Sequence, residues 1–198
     1  MEWELFDQVQ NIGGRAVCQD NWSTFQIMRS SQLLPWPPEL LSSYRDDLLE
    51  AKAAGRNPLS EKYGYMMERT CPEEYQKIRR LLPQPGEAKT PPGRIDLSNS
   101  SRLAGGDRRP LALPGTPWKS HSCREDGPHV TSFETYLWGE LLTYSEKTLG
   151  LYAAHAEKLL QKGLNLNQQI LEHTVSQYGY HSLDEADHEM RRRFSTAE

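Results

Sequence analysis

The sequence predicts an all-α protein: an orthogonal bundle of about seven or eight helices with one long proline-rich loop. Three observations carry that expectation. Apolar residues recur at three-to-four spacing in most segments, strand-like alternation is almost absent, and Asn, Pro and Gly stand where helix caps and stops belong. Hydrophobic residues make up 36% of the chain, against roughly 45–50% for a compact domain, so part of it is expected to stay outside the core. The 5 Trp and 9 Tyr supply a second source of buried area.

The elements follow in order. "MEWELFDQVQ" opens acidic and amphipathic. "DNWSTFQIMRSSQLL" places Trp22, Phe25, Met28 or Arg29, and Gln32 or Leu33 at helical spacing, with Asp20 or Asn21 as its N-cap. "PPELLSSYRDDLLEAKAAG" begins with an early proline and closes on Gly55, its stripe being Leu40, Leu41, Tyr44, Leu48 and Ala51. In "NPLSEKYGYMMERT", Asn57 caps, Pro58 takes the first helical position, and Leu59, Tyr63 and Met66 share a face. Pro72 begins "PEEYQKIRRLL", with Glu73 and Glu74 in the first turn and Arg79 and Arg80 in the last, as the helix dipole prefers.

From Pro83 to about Val130 the periodicity is lost. A structureless run of this length is uncommon inside a domain. Residues 83–130 are therefore expected to form a loop or flap, inserted between helices of 1–82 and of 131–194 in a single domain spanning 1–198. Trp118 and the apolar run 111–113 suggest that its second half docks. Thr131 and Glu134 then make a T-x-x-E capping box for a long helix over 131–162, with Phe133, Leu137, Leu141, Tyr144, Leu151, Tyr152 and Leu159 inward and Gly163 as its stop. Asn165 caps "NLNQQILEHTVSQYG", and Ser182 with Glu185 opens the last helix. Gly55 with Asn57, and Gly163 with Asn165, repeat one corner pattern, each followed by a "YGY" tripeptide at 63–65 and 178–180. Corner chemistry accounts for this more simply than duplication of a helical hairpin.

A formal charge of −4 leaves no general field for nucleic acid or an acidic membrane. Cys18, Cys71 and Cys123 are far apart, with no C-x-x-C, as in a reduced intracellular protein. With no basic, apolar leader and no run long enough to span a bilayer, the expectation is a soluble, cytoplasmic protein, open to homo-oligomerisation.

Two clusters carry candidate chemistry. In "NIGGRAVCQDNW" the glycines permit close backbone approach, Arg15 suits a carboxylate or phosphate, and Asp20 or Cys18 is placed to act on it. The structural alternative is that the glycines stop the first helix and Asp20 caps the next; Cys18 has no base nearby in sequence. In the long helix, Tyr136, Glu140 and Tyr144 share one face, and Glu134, Trp138 and Leu141 the adjacent one. Glu140 is then either a general base with a raised pKa or one half of a buried pair, whereas the capping box already employs Glu134. The catalytic candidates are thus Glu140 and Asp20, and the ligand-binding candidates Arg15, Trp22, Tyr136 and Trp138. A single E-x-x-H, Glu185 with His188, falls short of the paired motif of a di-iron bundle, so no metal ligands are expected, and no motif names a cofactor.

Four stretches in order, "FDQVQNIGGRAVCQDNWSTFQIMRSSQLLPW", "KYGYMMERTCPEEY", "TSFETYLWGELLTYSEKTLGLY" and "VSQYGYHSLDEAD", resemble the bacterial family known as domain of unknown function 4125. The resemblance covers both helical regions, skips the proline-rich middle, and supplies a grouping rather than an activity. In the family pattern an acidic residue precedes the glycine pair, where this chain has Ile12, and an arginine stands where it has Trp138. If those two positions form an ion pair in the family, loss of both charges together implies that the glycine loop and the long helix touch and that the ligand has diverged; a relative serving specialised biosynthesis fits this, and so does simple drift. The functional expectation is a small enzyme or ligand-binding protein for an anionic or polar small molecule, with its pocket between residues 11–22 and 131–162. The alternative is a non-catalytic interaction module that uses 83–130.

Overall fold

A computed structural model of the chain describes residues 1–10, 14–15, 17–84, 126–127 and 131–195, without the side chains of Val17, Cys18, Phe133 and 193–195. Ile12, Trp118, Cys123, the run 111–113, nearly all of the expected 83–130 loop and the Cys18 side chain lie outside the described residues. The fold is an all-α bundle. Its helices are α1 (Glu2–Asp7), α2 (Trp22–Leu33), α3 (Pro38–Ala53), α4 (Pro58–Thr70), α5 (Pro72–Ile78), α6 (Phe133–Leu141), α7 (Glu146–Gln161), α8 (Leu166–Gln177) and α9 (Leu183–Ser195), with a 3-10 turn at Val17–Asp20.

The corner chemistry explains most of the boundaries. Asn57 Oδ1 accepts the amides of Leu59 and Ser60, both at 3.1 Å, and Asn165 Oδ1 those of Asn167 and Gln168 at 2.7 and 3.2 Å. Gly55 and Gly163 end the preceding helices at φ +68° and +69°, a region that only glycine enters cheaply. The residue after each donates back across the last turn, Arg56 N–H to Ala51 O at 2.8 Å and Leu164 N–H to Leu159 O at 2.9 Å. Gly179, at φ +90°, closes α8 the same way, with Tyr180 N–H on Val175 O at 3.0 Å. The two "YGY" tripeptides are not equivalent, because Gly64 lies within α4 against Leu82 while Gly179 is a helix stop.

Several expected boundaries are corrected. The long helix over 131–162 is two helices, broken at 142–145. Ser145 caps α7 by accepting Thr148 N–H at 3.2 Å, and its own N–H donates to Asp47 at 2.9 Å. At the start of α6 the cap is Ser132, which accepts Thr135 N–H at 3.1 Å, rather than the Thr131–Glu134 box. Glu134 instead lies 3.5 Å from Arg69, and the Asp126 carboxylate accepts from Ser132 and Thr135. Of the two caps expected for α2, Asn21 is the one that serves, accepting Thr24 N–H at 3.0 Å. The glycines do not stop the first helix, since α1 already ends at Asp7.

The main core gathers Trp36, Leu40, Tyr44, Leu48, Leu137, Leu141, Tyr144, Leu149, Tyr152, Leu159 and Leu166 from α3, α6, α7, α8 and the α2–α3 corner. Trp36 meets Tyr44, Tyr144 and Tyr152 edge-on at 5.6–6.1 Å, the geometry favoured by ring quadrupoles. The aromatic content thus does fill the interior. Leu41 departs from its expected stripe and is exposed. The inward face of α4 also differs from expectation: it carries Glu61, Lys62, Tyr65 and Met66. α4 packs on α6 at Gly139, where a Cβ would stand 2.6 Å from Met66 Cγ and 2.9 Å from the Lys62 carbonyl. This contact brings two charged side chains together inside the protein.

A candidate ligand site around Glu140

Glu140 follows Gly139 on α6, and its side chain is 3% exposed. A lone carboxylate taken out of water at this depth would lose several kcal/mol of hydration, on the order of 5 or more. Here three donors replace the water. Arg29 Nη1 from α2 donates to Oε1 at 2.6 Å, Lys62 Nζ from α4 donates to Oε2 at 2.7 Å, and Tyr144 O–H donates to Oε1 at 3.1 Å. The Lys62 ammonium also faces the Tyr136 ring, 3.3 Å from its centroid. One helical turn separates Tyr136 from Glu140, so α6 presents a carboxylate and an aromatic face to the same ammonium.

Arg29 extends the network to α1. Its Nε donates to Glu2 Oε1 at 2.6 Å, Nη1 also reaches Gln32 Oε1 at 2.6 Å, and Nη2 donates to the Tyr44 hydroxyl. Tyr44 in turn donates to Glu2 Oε1 at 2.7 Å. Two carboxylates, Glu2 and Glu140, therefore balance two cations, Arg29 and Lys62. Both residues missed at the sequence level, Lys62 and Glu2, lie in charged stretches that read as solvated. Arg29 left a signal, as a guanidinium on the apolar spacing of α2.

Of the two expectations for Glu140, the electrostatics favour the buried pair over the general base. Burial pushes its carboxyl upward, but Arg29 and Lys62 outweigh burial and hold it well below the usual carboxylate range. A general base needs a raised value; this group is a permanently ionised anchor. Burial drives the Tyr44 and Tyr144 hydroxyls far above their ordinary value of 10.0, and neighbouring carboxylates add to the shift. Both stay protonated and serve as donors.

The other candidates go elsewhere. Arg15 Nη2 pairs with Asp7 at 2.7 Å and Asp20 at 3.0 Å, and Nη1 donates to the Asp7 carbonyl at 3.0 Å. Asp20 is thus held by Arg15, and the pair clamps the end of α1 to the 3-10 turn. Trp22 is 51% exposed and lies against Trp3 and Phe25. Trp138 is buried with Tyr65 and Leu142, and the Arg69 guanidinium covers its ring at 4.5 Å. Of the six candidates, Glu140 and Tyr136 meet at Lys62, Arg15 and Asp20 meet each other, and the two pairs stay apart. Arg15 and Glu140 share no hydrogen-bonded partner among the described residues.

Among the described residues no group of three or more His, Cys, Asp or Glu side chains is placed to hold a metal ion, and no helix is long and apolar enough to cross a membrane. No curated protein and no solved structure matches the chain. The family described as "Protein of unknown function (DUF4125)" matches residues 1–188, across α1 to α8 and into α9, and the chain belongs to that family.

Proposed function

We propose that the chain binds a small anionic or polar molecule at the network of Arg29, Lys62, Glu140 and Tyr136. The observation that supports this reading is four opposite charges held together inside a helical bundle. Buried ion pairs add little stability over well-packed apolar residues of similar volume, so stability alone gives no reason to keep them. Networks with strongly displaced pKa values concentrate at functional sites. Because Glu140 keeps its charge, its role is to hold and orient cationic donors rather than to transfer a proton. Lys62 has an ammonium capable of three hydrogen bonds, one of them to Glu140, and its half-buried neighbours Tyr63 and Tyr136 form the polar-aromatic edge of the network.

The test is a thermal-shift screen with small carboxylates, phosphates and polar neutral molecules on the parent chain, Lys62→Met and Glu140→Gln. A ligand at a hundred times its Kd stabilises by about 2.7 kcal/mol, which raises Tm by roughly 5–11 °C at this chain length. The expected result is a parent-specific shift that both variants lose. A ligand that stabilises all three proteins equally binds elsewhere and refutes the assignment.

A further inference from the structure

The two carboxylates of the network reach it differently. Glu140 stands in the middle of the bundle on a helix packed against α4. Glu2 is delivered by the first turn of a six-residue helix, and its side chain keeps 14% exposure, with Arg29 at 13%. Both donors to Glu2 converge on one oxygen: Arg29 Nε at 2.6 Å and the Tyr44 hydroxyl at 2.7 Å. Nothing in that contact depends on the rest of a glutamate. An arginine N–H and a tyrosine O–H, themselves joined by a hydrogen bond, form a rigid two-donor seat for any carboxylate oxygen.

The other end of α1 is anchored independently of Glu2. Phe6 is buried, Gln19 Nε2 donates to the carbonyls of Phe6 and Val9 at 2.9 and 2.8 Å, Asn57 Nδ2 donates to Leu5 O at 2.8 Å, and Arg15 holds Asp7. The last turn of α1 thus has its own anchors, while the first turn is held by Glu2 and by the Trp3 ring against Trp22 and Phe25, the contacts that lifting it would break.

We infer that Arg29 and Tyr44 form a carboxylate receptor that Glu2 fills from within the chain, and that a small organic acid takes this seat when the first turn of α1 lifts. This rests on the ligand-binding reading above and narrows the ligand to a carboxylate, with Glu2 as its built-in competitor. A tethered competitor acts at an effective concentration on the order of millimolar, so an external acid must exceed that level or make further contacts with Lys62.

The experiment removes the competitor and supplies acetate. Glu2→Ala should melt below the parent, and millimolar acetate should restore its Tm. Acetamide at the same concentration, and sodium chloride at the same ionic strength, should not. Glu2→Ala combined with Arg29→Met should lose the acetate response, and the parent, its seat filled, should show none in that range. Equal responses to acetate and acetamide, no response to either, or a parent that responds as strongly as Glu2→Ala would each overturn the inference. If Glu2→Ala does not refold, Glu2→Gln, which keeps the side-chain volume, carries the same titration. Because acetate alone is the probe, failure here with Lys62-dependent ligand binding intact removes the seat and spares the proposed function; the converse result spares the seat.

Discussion

Replacing Lys62 by methionine keeps an unbranched side chain one atom shorter and removes its charge, leaving Glu140 with Arg29 and Tyr144. Breaking a buried pair by deleting one partner costs about 3–5 kcal/mol, because the other charge stays buried without its counter-ion. The lower end applies here, since Arg29 still holds Oε1 at 2.6 Å. Loss of the ammonium from the Tyr136 face, worth up to about 2 kcal/mol when desolvated, adds to that. A total of about 3–5 kcal/mol corresponds to a fall in Tm of roughly 6–20 °C for a chain of this size. Urea unfolding followed by far-ultraviolet circular dichroism reads the free energy directly. The companion double variant, Lys62→Met with Glu140→Gln, removes the orphaned charge and should be no less stable than Lys62→Met alone, which gives a large coupling energy in the cycle. A Lys62→Met loss under about 1 kcal/mol, or strict additivity in the cycle, would refute the claim that this pair is a buried, mutually dependent contact.

Three further outcomes follow from the same geometry. Gly139→Ala forces a methyl to within 2.6 Å of Met66 Cγ and 2.9 Å of the Lys62 carbonyl, so chemical denaturation should show a loss at or above the overpacking range of about 1–3 kcal/mol. In acid, the Glu140 carboxyl has a folded-state pKa below its unfolded value. Its contribution is fully present above that unfolded value, near 4.5, and is lost as the pH falls toward the folded one; the stability of Glu140→Gln should therefore decline less than the parent's over the same range. In alkali, burial and then Glu61 push Tyr65 from 10.0 up to about 12, so its contribution is full below pH 10 and is lost as the pH rises from 10 to 12. Tyr65→Phe, which gives up the hydrogen bond to the Pro83 carbonyl at 2.6 Å, should flatten that alkaline decline in a pH series of melts.

The helical class and most helix ends are legible in local chemistry. Asn57, Asn165, Ser182, Gly55 and Gly163 act within one turn of themselves, so their neighbours in sequence suffice to read them. The break at 142–145 was missed because the apolar period continues through it; Ser145, with Thr148 three residues on, was the local signal. Glu140 was legible as a carboxylate lacking a local role. The sign of its pKa shift was not, because its partners lie 111 and 78 residues away. Lys62 follows Glu61 in a stretch that reads as a solvated face, yet both are buried, Glu61 with Arg56 and Lys62 with Glu140. A stripe read by hydrophobicity alone therefore rotates α4 away from its true inward side. Arg15 stands out in the sequence as a cation in a glycine corner without a local role, and its partnership with Asp20 and Asp7 gives it a structural one that spacing does not specify.

The sequence separations in the Glu140 network bear on how the chain is made. Arg29 and Lys62 leave the ribosome well before Glu140, at synthesis rates of about 5–20 residues per second. The 78 positions between Lys62 and its counter-ion amount to several seconds of translation, on the order of 4–16 s. Until α6 emerges, packing the nascent N-terminal helices would bury Lys62 without its carboxylate and leave Arg29 with Glu2 alone. By the cost of burying an unpaired charge, collapse of the early half would be disfavoured before its partner arrives.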